Sequence, residues 1–324
     1  MEERPSRREA IKRLALTGAV LGGAAVATRF AYNTGGYGLA RPSGERQVRD
    51  FEVGKPPAGS PVLAIAKSSK DPATLVQRAV DALGGIKHFI SRGDVVAIKP
   101  NIGWDRVPAQ AANTNPKVVA AMVKLAFEAG ASKVIVTDAS CNEAHRCFQR
   151  SGIWRAAYAL GATVILPAEH RFRSMRMQGD VLDEWPIYTP LINADKVINM
   201  PVAKHHNLAK YTAAMKNWYG MLGGRRNRLH QSINMSIADL ATFMRPTLTV
   251  VDATRILMRN GPQGGNIDDT RVMNQVIASL DQVAADAYGC TLIGQEREHI
   301  HYLKLGHERG IGNMNWEQLH HVEV

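Results

Sequence analysis

The sequence is poor in cysteine and in aromatic residues. Its three cysteines, Cys141, Cys147 and Cys290, are too few for a disulfide framework, and none belongs to a CxxC pair. An iron–sulfur cluster held by this chain alone is not expected, since such clusters normally take four thiolates. Aromatic residues make up 6% of the 324 positions and interleave with basic ones in a single short segment, so nucleic-acid binding is not expected either. The chain has no GxSxG elbow, no Walker loop and no dinucleotide GxGxxG. His145, Cys147, His205, His206, Asp138 and Asp252 would have to converge to hold a metal, yet they show no zinc spacing, and no metal site is expected. Long apolar runs are also missing. The stretch Leu14–Ala27 falls short of the roughly 20 residues that span a bilayer.

What remains is ordinary globular material with a basic bias. The chain is 45% hydrophobic and 21% charged, enough for a sizeable core, and 40 basic against 29 acidic residues give +11. That surplus favours anionic partners in general. Arg7 and Arg8 precede the weakly hydrophobic Leu14–Ala27 stretch, which ends in an Ala-x-Ala site at Ala25 and Ala27. This pattern predicts a twin-arginine export signal over residues 1–30, a twin-arginine translocase as a partner, and residence in the periplasm or on the outer face of the cytoplasmic membrane. Residues 31–60, rich in turn formers and without apolar period, are expected to be linker.

From Pro61 onward, Val/Ile runs alternate with helical patterns. Strands are expected at 61–68, 93–101, 132–140, 162–168, 194–202 and 248–254. Asp71-Pro72 and Asn115-Pro116 pair an N-cap with a proline suited to the first helical position. Further helices are expected at 144–160, across 204–220, near 232–243 and over 271–288, and residues 291–324 read as a polar C-terminal extension. Near-continuous apolar strands alternating with helices predict an α/β domain over 61–290, with a mostly parallel sheet and helices on both faces. In such sheets ligands gather beyond the carboxyl ends of the strands. Four of those ends carry reactive side chains: Lys99 and Asn101, Asp138 and Ser140, Lys204 and His205, Asp252 and Thr254.

The segment KHHNLAKYTAAMKNWYG (204–220) concentrates lysines, histidines and aromatic rings. As one helix it would place His205, Thr212 and Lys216 within roughly 40° of one another. GGRRNRLHQS (223–232) groups arginines behind a Gly-Gly pair, where Arg225 could clamp a carboxylate or phosphate. NGPQGGN (260–266) is glycine-rich without a nucleotide signature.

GDVVAIKPN, GASKVIVTDAS, ADKVINMPVAKHH, YTAAMKNWYGMLGG and NGPQGGN, taken in that order, resemble the domain of unknown function 362 family over roughly residues 61–290. Members of that family include twin-arginine-exported proteins, and some carry a ferredoxin-type segment whose cysteines this chain lacks. The family has no generally established reaction. Carried over position by position, the resemblance points to Lys99, Asn101, Lys204, His205, Lys216, Asn217 and Asp252. The family usually reads Lys-Thr-His where this chain has Lys204-His205-His206, and the spacing favours His206 for the histidine role. The expectation is an exported enzyme acting on a small carboxylate or phosphate. Lys204, His206 and Lys216 would be catalytic, with Lys216 or a histidine as acid/base. Lys99, Asn101, Asp138, His205, Asn217, Arg225 and Asp252 would bind the ligand. A periplasmic binding or redox-accessory protein working with an iron–sulfur partner is the alternative.

Overall fold

A computed structural model describes Val48, Asp50–Val53 and residues 59–324. The export signal expected at 1–30 and most of the 31–60 linker lie outside the described residues. Apart from single helical turns and 3₁₀ segments, the chain runs β1 (Leu63–Ala66), α1 (Pro72–Ala82), β2 (Val95–Pro100), α2 (Pro116–Glu128), β3 (Lys133–Thr137), α3 (Ala144–Arg150), α4 (Ile153–Tyr158) and β4 (Thr163–Ile165). There follow β5 (Phe172–Arg176), β6 (Glu184–Tyr188), β7 (Lys196–Met200), β8 (Val202–His206) and β9 (Lys210–Thr212). The chain then continues through α5 (Ile233–Phe243), β10 (Leu248–Leu257), β11 (Thr270–Ser279), α6 (Gln282–Thr291), α7 (His301–Glu308) and β12 (His321–Glu323).

Helices α1 and α2 start where the sequence signals them. The Asp71 carboxylate accepts from the Ala73 and Thr74 amides, and the Asn115 side chain accepts from the Lys117 amide. Each cap satisfies backbone donors that the first helical turn leaves open.

Among the described residues the main sheet has ten strands, ordered β12-β1-β11-β10-β7-β2-β3-β4, with β8 and β9 attached beside β10. Strands β10, β7, β2, β3 and β4 pair in parallel, while β11 runs antiparallel to both β10 and β1. Strand alternation gives the sheet two buried faces. Val96, Ile98, Ile198, Val250 and Val276 join one apolar cluster with α1 to α4. Their neighbours Ala97, Val197, Val251 and Ile277 are equally buried but turn the other way, toward the layer that holds α5 and α6. The result is an α/β sandwich with a mostly parallel sheet.

The chain reverses direction across the sheet at one place. From β2 it steps outward to β3 and β4, then returns by way of the β5–β6 hairpin to place β7 on the opposite side of β2. The carboxyl ends of β2 and β7 therefore flank a topological switch point, where α/β sheets form their crevices.

Three expectations fail. Residues 271–288 are not one helix: β11 pairs with both β10 and β1 before α6 begins. Residues 204–220 form the β8–β9 hairpin, a single helical turn at Ala214–Asn217 and a 3₁₀ turn at Trp218–Met221. Residues 291–324 are no appendage, because α7 packs on α5 and β12 adds a parallel strand beside β1.

Candidate functional site

A cavity of about 270 Å³ opens at the switch point, lined by the ends of β2, β3 and β7, by β8 and by the segments that follow them. Strand β8 continues from β7 through Pro201 and pairs with β10 on one side and β9 on the other. Its alternation decides which side chains reach the cavity. Val202, Lys204 and His206 line it, whereas His205 turns away and accepts a hydrogen bond at Nδ1 from the Gly261 amide (3.2 Å).

Lys204 is buried, and its Nζ donates to Asn101 Oδ1 (2.7 Å) and to the Ala112 carbonyl (2.5 Å). An ammonium has three donors, so one remains for the cavity. Burial, followed by the nearby charge of Lys216, pulls the Lys204 pKa down to about 7. His206 is fixed by its backbone neighbours, since Nδ1 accepts from the Leu208 and Ala209 amides at 3.2 and 3.1 Å. Nδ1 therefore carries no proton and Nε2 does. Burial and the surrounding cations hold the pKa at about 2. The acid/base role expected of His206 does not suit this state, in which the ring is a fixed neutral donor. His230, whose ring stacks 6.3 Å from that of His206, has the opposite tautomer. Its Nδ1 lies 3.1 Å from the Asn227 carbonyl and must donate to it, leaving a lone pair on Nε2.

The single turn Ala214–Asn217 brings Lys216 and Asn217 to the cavity. Its first amides are held by Asp286, a fully buried carboxylate that accepts from Ala214 N (2.5 Å) and Met215 N (3.0 Å). Burial pushes the Asp286 pKa up to about 7. Asn199 Nδ2 donates to the Ala214 carbonyl, which leaves Asn199 Oδ1 to accept from Asn217 Nδ2 (2.8 Å). Asn217 Nδ2 also donates to the Lys99 carbonyl (3.1 Å), and the buried Asn217 Oδ1 has no partner among the described residues. Changing Asp286 to Asn would turn an NH₂ toward a backbone N–H. We expect a cost of about 1–3 kcal/mol, read as a lowered melting temperature, because one buried donor then goes unsatisfied.

Lys216 differs from the other two recessed lysines. Among the described residues its Nζ has no hydrogen-bond or ion-pair partner, and it sits 4.7 Å above the ring of Tyr219. Burial is the main cause that lowers its pKa to about 8, and the Arg226 charge adds to the effect. The Arg226 guanidinium is itself immobilised, donating to the carbonyls of Ala139 (2.8 Å), Ser140 (2.5 Å), Tyr219 (3.0 Å) and Leu222 (3.3 Å).

Asp138, in the cavity lining, forms a buried ion pair at 2.6 Å with Lys99, which is not in the lining. Asp138 also accepts from the Ile102 amide (2.7 Å), which ties the end of β3 to the loop after β2. Gly220 passes so close that a Cβ there would strike both Asp138 Oδ1 and Lys99 Nζ.

Of the residues expected from the sequence, Lys204, His206, Lys216, Asn101, Asp138 and Asn217 line this cavity, and Lys99, His205, Arg225 and Asp252 do not. Lys99 is the ion-pair partner of Asp138. Asp252 is buried and committed to structure, accepting from the Asn115 amide (2.7 Å) at the start of α2 and from the Thr254 hydroxyl (2.6 Å). Arg225, expected as an anion clamp, is not in the lining; its neighbour Arg226 is, with its guanidinium held by backbone carbonyls. Trp104, Arg226 and His230 were not singled out individually by sequence. Only the basic cluster at 223–232 hinted at the last two. No three of the described His, Cys, Asp and Glu residues come together as a metal would require.

The family described as Domain of unknown function (DUF362) matches residues 96–291. The chain belongs to the DUF362 family. That span runs from β2 through α6 and contains every lining residue of the cavity. Within curated proteins, a thylakoid-associated protein of Synechocystis is 26% identical over 215 residues, covering 64% of this chain and 65% of its own length. The lactate racemase apoprotein of Thermoanaerobacterium thermosaccharolyticum aligns in structure with a TM-score of 0.43 and 11% identity, over 79% of this chain and 60% of that one. The DUF362 segment of this chain thus carries the switch point, the β8–β9 hairpin and both recessed lysines that face the cavity.

Proposed function

We propose that this DUF362 protein is an enzyme acting on a small anion, a carboxylate or a phosphate, bound in the cavity at the carboxyl ends of the strands. One observation carries the reading: the lining holds a cationic surplus with no counterion of its own. Lys204, Lys216 and Arg226 face a single lining carboxylate, Asp138, which is already paired with Lys99. Two uncompensated ammonium groups drawn out of water are costly, and a bound anion would relieve them both. Lys204 and Lys216 also titrate near 7 and 8, a range in which an amine can exchange protons at physiological pH. The cavity volume, about 270 Å³, sits at the lower edge of ligand sites and suits a metabolite of few atoms.

Thermal denaturation in the presence of small carboxylates and inorganic phosphate tests this. At least one anion should raise the melting temperature in the wild type and lose most of that effect in Lys204→Met. Failure of every anion to shift the transition would overturn the proposal.

A further inference from the structure

The three recessed lysines at this end of the sheet are held in three different ways. Lys99 is neutralised by Asp138, and Lys204 is anchored by Asn101 and Ala112. Lys216 is the exception: among the described residues its Nζ has the face of the Tyr219 ring as its support, with the Cys141 thiol and the Arg226 cation as its charged or ionisable neighbours. An ammonium kept solely for anion binding would be expected to share in the hydrogen bonding that fixes Lys204. An amine left without donors or acceptors, beside fixed positive charge, is instead arranged as a nucleophile.

We infer that Lys216 condenses with the carbonyl carbon of a small 2-oxo acid to form an imine, a step that rests on the small-anion reading of this cavity and names the class of anion. Lys204 binds the carboxylate through its remaining N–H, and His206 Nε2–H donates to the carbonyl oxygen. The Lys216 ammonium first gives a proton to the Nε2 lone pair of His230. The neutral amine then adds to the carbonyl carbon, the C=O π pair moves to oxygen, and a proton passes from nitrogen to that oxygen. The carbinolamine hydroxyl takes the proton from His230 and leaves as water while C=N forms. The sum is ammonium plus ketone giving iminium plus water, with no oxidant or other reactant. His230 fits the proton-carrying part because its Nδ1 is engaged with Asn227 and its charged form is disfavoured by burial and by Lys216 itself. At neutral pH an amine titrating near 8 holds roughly two hundred times more neutral form than a surface lysine.

Reductive trapping decides the matter. The full chain is incubated with glyoxylate, pyruvate or 2-oxoglutarate and cyanoborohydride, digested, and mapped by mass spectrometry. Glycolate, lactate and 2-hydroxyglutarate serve as carbonyl-free counterparts, and melting temperatures are recorded for both sets. The expected result is an adduct concentrated on the peptide carrying Lys216, with a yield that rises with pH through about 8. Lys204→Met should lower that yield severalfold. Lys216→Arg should abolish the adduct while retaining the anion-induced thermal shift. Thermal shifts by both sets without an adduct, or an adduct spread evenly over surface lysines, overturn imine formation and leave the anion site standing. Neither a shift nor an adduct from any of the six overturns both.

Discussion

Replacing Lys99 by methionine is expected to be among the most damaging single changes in the molecule. Both members of the Lys99–Asp138 pair are essentially inaccessible, and after the substitution Asp138 would keep one hydrogen bond, from the Ile102 amide. Breaking a buried pair by removing one partner strands the other charge and costs about 3–5 kcal/mol. For a domain of this size that corresponds to a fall of roughly 10 °C in melting temperature. Adding Asp138→Leu to the same chain should recover a large part of the loss, since removing both charges also removes the stranded one. A double-mutant cycle by thermal denaturation checks this. A Lys99→Met variant within about 1 kcal/mol of wild type would mean that Asp138 is protonated or solvated instead. Gly220 explains why this pair tolerates so little change: its backbone closes over both charged groups, and the Ala139 amide donates to its carbonyl (2.8 Å).

Lys216→Met should have the opposite signature. Turnover of an identified substrate should fall by at least about 10²–10⁴, the range for losing a positioned proton-transfer group, and further where Lys216 is the imine-forming amine. Stability should rise, because methionine fills the stem volume without bringing a partnerless charge out of water. The pH dependence gives the sign. The folded protein lowers the Lys216 pKa from 10.5 to about 8, so the unfolded chain binds more protons between those values. Wild-type stability therefore climbs relative to the variant as pH increases through that window, and the advantage of methionine is greatest below about pH 8. Melting curves of the two proteins from pH 6 to 10 should converge toward the alkaline end. Parallel curves would show that Lys216 is solvated in the folded state.

The sheet's parallel strands were legible because they are almost unbroken Val and Ile runs, and α1 and α2 because Asp71-Pro72 and Asn115-Pro116 are unambiguous helix openings. Strand β8 was not legible, for a reason tied to function. Its inward residues are Lys204 and His206, so a buried strand looks polar and period-two apolarity vanishes. Strand β11 failed similarly: its first half pairs with β10 alone and carries Arg271, Asn274 and Gln275, which break the apolar pattern shown by the half paired on both sides. The polar strand ends did mark the correct region: Asn101, Asp138 and Lys204 from those ends line the cavity, joined by His206, Lys216 and Asn217 from the segment 204–220. Sequence could not separate Lys99 from Asn101 by depth, nor Arg225 from Arg226 within one basic run. The same holds for His205 and His206, which differ only in which face of an unrecognised strand they occupy.

The Lys204–Asn101 hydrogen bond joins positions 103 residues apart, and that from Asn217 to the Lys99 carbonyl spans 118. Contacts of such separation require large loops to close before any interaction repays the lost chain entropy, which delays them in folding. The cavity is therefore a late product of folding rather than a property of any local fragment. Until β8 docks beside β10, Lys204 lacks its Asn101 and Ala112 acceptors and Lys216 its surrounding wall, so the amine chemistry proposed for this site would be confined to chains that have completed their sheet.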